Sequence, residues 1–276
     1  SFYYLPLISG TGCLAAFTAF SCSACLSEKK GRRMLLFALA GISVVMLVLS
    51  RPNMVLLAAA FAAPLFLRVL FDRQAAFGDK LQGVLSFLVP VLLGGIGVMY
   101  YNQIRFGSVF EFGTAYQLTE SDIRYNEITL SLHHFLSMAY HYFAEPFVYT
   151  EFFPFLRFTT EKCVDFGNYL YQEYGAGLFQ MPLNLGIFLA GLTFCLKDKK
   201  KSFKRWSCGL LLVGILGLGY LDFLLGGIHI RYVCDLSLAV SLLAFLLILE
   251  HIHFEGTRSS HILYVMTLGL LLLTVG

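Results

Sequence analysis

Charged side chains are scarce in this chain. Of its 276 residues only 13% are charged, whereas 58% are hydrophobic and the mean hydropathy is +0.73. A soluble domain averages about 25% charged residues. The composition therefore excludes an ordinary soluble domain and predicts an integral membrane protein. The net charge of +3 is small and gives no reason to expect a nucleic-acid partner.

Cysteine patterns that hold metals are also missing. Cys22 and Cys25 form a CxxC, but it lies in an apolar run and has no second ligand pair. It therefore predicts neither a metal site nor a redox site. Cys163 and Cys234 are expected to be free thiols, with a disulfide between them as the alternative. No cofactor and no metal is predicted, and the sequence has no internal repeat.

Eight apolar runs predict about eight transmembrane helices, because a helix needs roughly 20 apolar residues to cross the hydrocarbon core. The fold class is thus an all-α integral membrane protein with one long outer loop that carries interfacial helices. Residues 1–101 form four spans, 102–180 the outer loop and 181–276 four further spans. The runs are 3–26, 34–50, 54–71, 81–101, 181–196, 208–227, 236–249 and 262–276.

The basic residues orient these spans. Residues 27–33 hold four Lys or Arg and residues 197–207 hold six. In an eight-span map, the connections on that side hold fourteen basic residues and those on the other side six. The basic loops are therefore predicted to be cytoplasmic in a plasma membrane, and residues 102–180 to lie outside.

The outer loop is predicted to have its own structure, because 79 residues are too many for a plain connection. Apolar residues from Ile128 to Phe143 recur at helical spacing and predict an amphipathic helix that lies in the membrane interface and ends at Glu145-Pro146. A second short helix is predicted after Thr160. The polar arc of the first helix holds His133, His134, Ser137 and His141. No carboxylate is expected in that arc, so the histidines are interpreted as a face toward lipid headgroups and water, with a metal site as the alternative.

The rim of a binding site is predicted at residues 100–117, YYNQIRFGSVFEFGTAYQ. Gly107 and Gly113 predict two turns around a short extended element, because glycine adopts backbone conformations closed to other residues. Arg105 and Glu111 place opposite charges beside an aromatic ridge. We interpret both side chains as candidate ligands.

Three more candidates lie at a later junction of two spans. Arg231, Tyr232 and Asp235 follow Gly226-Gly227, and Asp222 lies inside the preceding span. Arg231 and Asp235 share a helix face, so they form either a structural salt bridge or a site in which Arg231 binds the phosphate of a membrane lipid. Arg51, in the hairpin Arg51-Pro52-Asn53, is a further candidate phosphate ligand.

The run YNQIRFGSVFEFGTAYQL is similar to a stretch of bacterial multi-span glycosyltransferases of the C-type superfold, which includes relatives of the protein mannosyltransferases. Residues 174–182, YGAGLFQMP, resemble the segment that re-enters the membrane after the long outer loop of that group. Arg231-Tyr232 with Asp235 looks like its Arg-Tyr-x-x-Asp at a later outer junction.

This resemblance implies the transfer of a sugar from a polyprenyl-phosphate donor to an outer-face acceptor, which is a cell-envelope glycan, lipid or protein. It also implies that Arg231 and Arg105 bind lipid phosphate. The superfold keeps its catalytic acid on the first outer loop. Because the first span here leads into a basic loop, we expect this chain to be a fragment that lacks this acid, so the catalytic residue is unknown.

Two other classes remain open. A transporter places polar residues at mid-membrane on broken helices, and the predicted spans are nearly free of them. A non-catalytic envelope-assembly protein is the other alternative.

Overall fold

A computed structural model of the chain describes residues 4–71, 76–113, 116, 130–153, 155–157, 177–180, 184, 202–229, 231–241 and 243. The chain divides into two compact units, Ser1–Asn126 and Glu127–Gly276. This division falls inside the stretch 102–180 that was predicted to be one outer loop.

The first unit contains four helices: α1 (Tyr4–Leu26), α2 (Lys30–Ser50), α3 (Val55–Phe71) and α4 (Phe77–Phe106). Helix α2 packs against α1 and α4. A single 3₁₀ turn, Pro52–Met54, separates α2 from α3. Proline has no backbone N–H to continue α2 and is favoured at the first position of a new helix.

Aromatic rings and small residues pack the helices of the first unit against each other. The ring of Phe87 in α4 lies 4.7 Å from that of Phe66 and 6.2 Å from that of Phe17, centroid to centroid. On α2, a Cβ built at Gly41 would lie 2.5 Å from the Phe87 carbonyl oxygen. Only glycine leaves room for this approach of two backbones, which is how small residues pack membrane helices.

The second unit begins with α5 (Leu132–Ala139), whose first turn is capped by the Ser131 side chain, which accepts a hydrogen bond from the His133 N–H at 3.2 Å. One π-turn, Tyr140–Ala144, continues α5. A short hairpin follows, in which β1 (Val148–Tyr149) pairs antiparallel with β2 (Leu156–Arg157). The unit continues with a 3₁₀ turn (Leu178–Gln180), α6 (Ser202–Gly226) and a helical segment at 231–241.

Five helices of the described residues are long and apolar enough to cross a membrane: α1, α2, α3 with its preceding 3₁₀ turn, α4 and α6. The chain is therefore an all-α, multi-pass membrane protein, to which the structure adds one small hairpin. The predicted run 262–276 and the predicted helix after Thr160 lie outside the described residues, as do nearly all of the run 181–196 and half of the run 236–249.

The prediction of an amphipathic helix near residues 128–143 matches α5 and its π-turn in place. The helix ends as expected, with Glu145 as its C-terminal cap. The polar face differs from the prediction. Leu132 and Leu136, from the apolar arc, are exposed, as an apolar face toward the membrane requires, whereas Ser137 and His141, from the polar arc, are buried. The interpretation of the histidine arc as a wholly wet face is therefore wrong for these two residues.

Candidate functional site

Three predicted site residues lie where the chain leaves α6 and enters the helical segment 231–241. Gly227 turns the backbone with a φ of 80° and donates its N–H to the Phe223 carbonyl at 2.7 Å. Two residues later His229 accepts the N–H of Tyr232 at 3.1 Å, which starts the next helix. We call residues 226–232 the α6 corner.

The side chain of Tyr232 folds back onto this corner. A Cβ built at Gly226 would lie 2.6 Å from the Tyr232 hydroxyl oxygen, so the ring packs directly on the glycine. The Arg231 guanidinium carbon lies 5.4 Å from the Tyr232 ring centroid, at cation–π distance. The His229 ring meets the Tyr232 ring edge to face, also at 5.4 Å. The side chains of the adjacent residues Arg231 and Tyr232 thus lie against each other at the corner.

Tyr142 connects the π-turn to the corner. This fully buried residue donates its hydroxyl to the Gly227 carbonyl at 3.0 Å. Burial, reinforced by the negative charge of Asp222, holds the pKa of Tyr142 well above its ordinary value, while the positive charge of Arg231 acts in the opposite direction. The phenol therefore keeps its proton and remains a hydrogen-bond donor at neutral pH.

Two fully buried acids flank the α6 corner in the sequence. Asp222, in the last turns of α6, and Asp235, in the following helical segment, are both 0% exposed. A buried carboxylate is costly unless it is hydrogen-bonded or close to a positive charge. Arg231 is half-buried on the same helical segment as Asp235, four residues before it.

Arg231 also affects the pKa of the neighbouring His229. Burial, together with the positive charge of Arg231, lowers the pKa of His229 below its ordinary value, and a hydrogen bond to the Gly226 backbone opposes this shift. His229 is consequently neutral at pH 7. One nitrogen of the guanidinium, Nε, is buried and has no hydrogen-bond partner among the described residues. At the α6 corner, Arg231 therefore offers an N–H donor on a permanent positive charge, next to the neutral imidazole of His229 and the phenol of Tyr232.

A buried His–Glu pair was missed by the sequence analysis. The Nδ1 of His141 lies 3.0 Å from the Oε2 of Glu145, and both side chains are almost completely buried. The Glu145 carbonyl accepts the N–H of Gly177 at 2.9 Å. The statement that no carboxylate shares the histidine arc is thus wrong, because the π-turn and the cap residue bring Glu145 back onto it. The i, i+4 spacing was the available signal.

The other predicted residues lie in the first unit. Arg105 is exposed on the last turn of α4, where it donates to the Tyr101 hydroxyl and lies 5.1 Å above the Phe106 ring. Gly107 caps α4 with a φ of 73° and Gly113 has a φ of 90°, so both predicted glycine turns are present. Residues 108–112 contain no strand; residue 108 is a bend and residues 109–110 form a turn in place of the extended element, and Glu111 follows half-buried.

Arg51 is half-buried at the end of α2. A Cβ built at Gly10 of α1 would lie 2.9 Å from the Arg51 Cγ, so the aliphatic part of the side chain packs on α1. Arg51 and Arg105 lie on elements of the first unit, whereas Arg231, Tyr232 and Asp235 belong to the second. Among the residues that the structure describes, no group of three His, Cys, Asp or Glu side chains is placed to hold a metal ion.

Comparisons with protein-family models, with curated proteins and with solved structures give no match to this chain.

Proposed function

We propose that this chain is part of a membrane glycosyltransferase that uses a polyprenyl-phosphate sugar donor, and that Arg231 binds the donor phosphate. The observation that carries the proposal is the Arg231 guanidinium. It is half-buried on the Tyr232 ring, and its Nε has no hydrogen-bond partner among the described residues.

The chemistry of the corner suits a phosphate diester at the end of an apolar chain. A guanidinium binds phosphate through two parallel N–H···O bonds, and partial burial strengthens such charged hydrogen bonds. The phenol of Tyr232 and the neutral imidazole of His229 lie beside it and add neutral polar groups. A leaving phosphate must be stabilised as negative charge develops, which is the role that we propose for Arg231.

Binding of a polyprenyl phosphate to the purified chain tests this role. In Arg231→Ala the donor loses a charged hydrogen-bonding partner, so affinity is expected to fall by about 2–3 kcal/mol, or roughly 30- to 150-fold. Arg231→Lys keeps the charge but not the planar fork, and is expected to bind with intermediate affinity. The measurement is a titration in a neutral detergent, read by native mass spectrometry.

Lys29→Ala is the matched control, because it removes an exposed positive charge from the first unit. It is expected to leave donor affinity unchanged. Equal affinities in the wild type, Arg231→Ala and Lys29→Ala would assign Arg231 to a structural pair with the buried acids. Sugar transfer from a labelled donor then tests the reaction itself.

The proposal includes a topology with eight spans in a bacterial plasma membrane, residues 102–180 outside and the basic loops 27–33 and 197–207 in the cytoplasm. The support is the asymmetry of Lys and Arg between alternate connections. Arg105, Glu111 and Arg51 are proposed as further substrate-binding residues within the first unit, on the basis of their predicted outer position.

Transport is the second candidate, and one observation favours it. Asp222 is fully buried inside α6, and an acid within a membrane span is often part of an ion or proton path. If the protein is a transporter, Asp222→Asn abolishes substrate flux in proteoliposomes. If it is a glycosyltransferase, the wild type shows no flux of free sugars.

A further inference from the structure

A cavity opens at one end of the four helices of the first unit, remote in sequence from the α6 corner. Its volume is about 140 Å³, far above the roughly 15 Å³ that one water molecule needs. All four helices line the cavity: α1 and α3 with residues near their C-terminal ends, and α2 and α4 with residues near their N-terminal ends. The lining residues are Cys25, Arg33, Phe37, Arg68, Val69, Asp79, Lys80 and Gly83.

Three of the lining side chains are cations, and they come from three different helices. Arg33 lies on α2, Arg68 on α3 and Lys80 on α4. The positive charges of both arginines reach the Cys25 thiol on α1. Like charges that converge on one cavity repel each other, so the arrangement favours an anion between them.

The single acid of the cavity does not balance these charges. The Oδ1 of Asp79 lies 2.9 Å from the Nζ of Lys30, a fourth cation that is not part of the lining. Lys80 donates one N–H to the Leu70 carbonyl at 3.1 Å. An ammonium has three donors, so this contact leaves Lys80 with further hydrogen-bonding capacity.

We propose that this cavity binds a phosphate group, held by Arg33, Arg68 and Lys80. Two guanidinium forks and an ammonium match the tetrahedral oxygens of phosphate better than a single carboxylate. The volume accommodates one phosphate with attached waters. Phe37, Val69 and Gly83 add apolar lining to the cavity.

The position of the cavity favours a lipid headgroup as the source of the phosphate. Helices α1 to α4 are candidate spans, so their ends lie at headgroup depth, where basic pockets between spans bind anionic lipids. Four exposed apolar side chains lie within two residues of a lining residue in the sequence and offer contacts to acyl chains; they are Leu70, Phe71, Phe77 and Leu81. Free phosphate has the same headgroup chemistry without these chains.

The test compares two probes on the purified chain in nanodiscs of neutral phosphatidylcholine: a short-chain phosphatidic acid and inorganic phosphate. Arg33→Gln and Arg68→Gln are each expected to weaken binding about tenfold or more, because each removes a charged hydrogen-bond partner. Arg32→Gln is the matched control. It deletes the same charge one residue away, on an exposed side chain that does not line the cavity.

Binding of phosphatidic acid with no binding of inorganic phosphate supports the site and assigns it to a lipid. Comparable binding of both probes supports the site and assigns it to free phosphate. Equal affinities in Arg32→Gln, Arg33→Gln and Arg68→Gln overturn the proposal, as does the failure of both probes to bind the wild type.

A second measurement needs no variant. Alkylation of each cysteine by a neutral maleimide is followed by mass spectrometry, with and without the probe that binds. Cys25 lines the cavity, whereas Cys22, three residues earlier on α1, does not. With the probe bound, Cys25 is expected to be alkylated more slowly, whereas Cys22 is expected to be alkylated at an unchanged rate. Equal effects on both thiols would place the anion elsewhere.

Discussion

At the scale of single residues, the His141–Glu145 hydrogen bond fixes the conformation of the π-turn. Both side chains are buried, and the Glu145 N–H also bonds to the Tyr140 carbonyl at 2.8 Å. A buried polar group that loses its partner costs about 1–3 kcal/mol. Glu145→Ala should therefore lower the free energy of unfolding by roughly this amount.

Thermal unfolding in detergent, followed by circular dichroism, measures this effect. His133→Ala is the control, because His133 is exposed on the same helix and surface substitutions usually change stability by less than about 0.5 kcal/mol. If both variants unfold at the wild-type temperature, the hydrogen bond contributes nothing to stability.

His229 makes stability depend on pH. Burial and Arg231 lower its pKa in the folded state, so as pH falls the unfolded chain takes up the proton first, near pH 6.5. The unfolded state then binds more protons, and the free energy of unfolding falls from about pH 7 downward until the folded pKa is passed. His229→Gln should flatten this part of the stability–pH curve.

Urea titrations at several pH values between 5 and 8 give that curve. His133→Gln, at an exposed position, is expected to keep the wild-type slope. A wild-type curve without any loss of stability on acidification would contradict the assignment of a lowered pKa to His229.

At the scale of elements, the close packing of α2 against α4 depends on Gly41. A methyl group there would lie 2.5 Å from the Phe87 carbonyl oxygen and 3.3 Å from Pro90 Cβ. Overpacking of this kind typically costs about 1–3 kcal/mol, because the two helices must separate. Gly41→Ala is thus expected to lower the unfolding temperature, although alanine favours a helix over glycine.

Gly95→Ala, on α4, is the control that measures the effect of helix propensity on stability without a steric clash. A Cβ at Gly95 meets nothing within 4 Å, so this variant is expected to gain up to about 1 kcal/mol from propensity alone. Stabilisation by both substitutions would show that the approach of α2 to α4 does not constrain the first unit.

At the scale of the whole molecule, the order of helices in the first unit predicts which segments share a membrane face. If α1 to α4 each cross the bilayer, residues 27–29 and 107–113 lie on opposite faces. A cysteine placed at Glu28 and one placed at Ser108, both exposed positions, should therefore react with an impermeant maleimide from opposite sides of sealed vesicles.

The parent protein with its native cysteines supplies the background labelling. Labelling of Glu28→Cys and Ser108→Cys from the same side would contradict the four crossings. The side on which each one reacts also tests the prediction that residues 27–33 are cytoplasmic.

The positions of the apolar helices were predicted well from the sequence, because a helix buried in lipid requires a long apolar run. The run 3–26 became α1, Tyr4–Leu26. Helix α4 was predicted at 81–101 but extends over Phe77–Phe106, because hydropathy does not detect polar turns that continue a helix beyond the apolar run. Gly107 marks its true end.

The candidate sites were predicted less completely, since they depend on tertiary packing. Gly226 and Tyr232 are close in sequence, yet their contact requires the backbone turn at Gly227. The contact from Tyr142 joins residues 85 positions apart, which no local pattern contains. The cavity of the first unit is lined by residues of four helices, which no local pattern brings together. Its basic residues therefore served in the sequence analysis only to orient the spans.

The length of α4 links this cavity to the predicted rim at Arg105. Its 30 residues span about 45 Å, while the hydrocarbon core measures about 30 Å and the full bilayer about 40–45 Å. An upright α4 matches the full bilayer, and a thinner membrane is accommodated by tilt. Because a tilting rod moves its two ends in opposite lateral directions, a change in bilayer thickness is expected to shift Lys80 and Arg105 at the same time but in opposite directions.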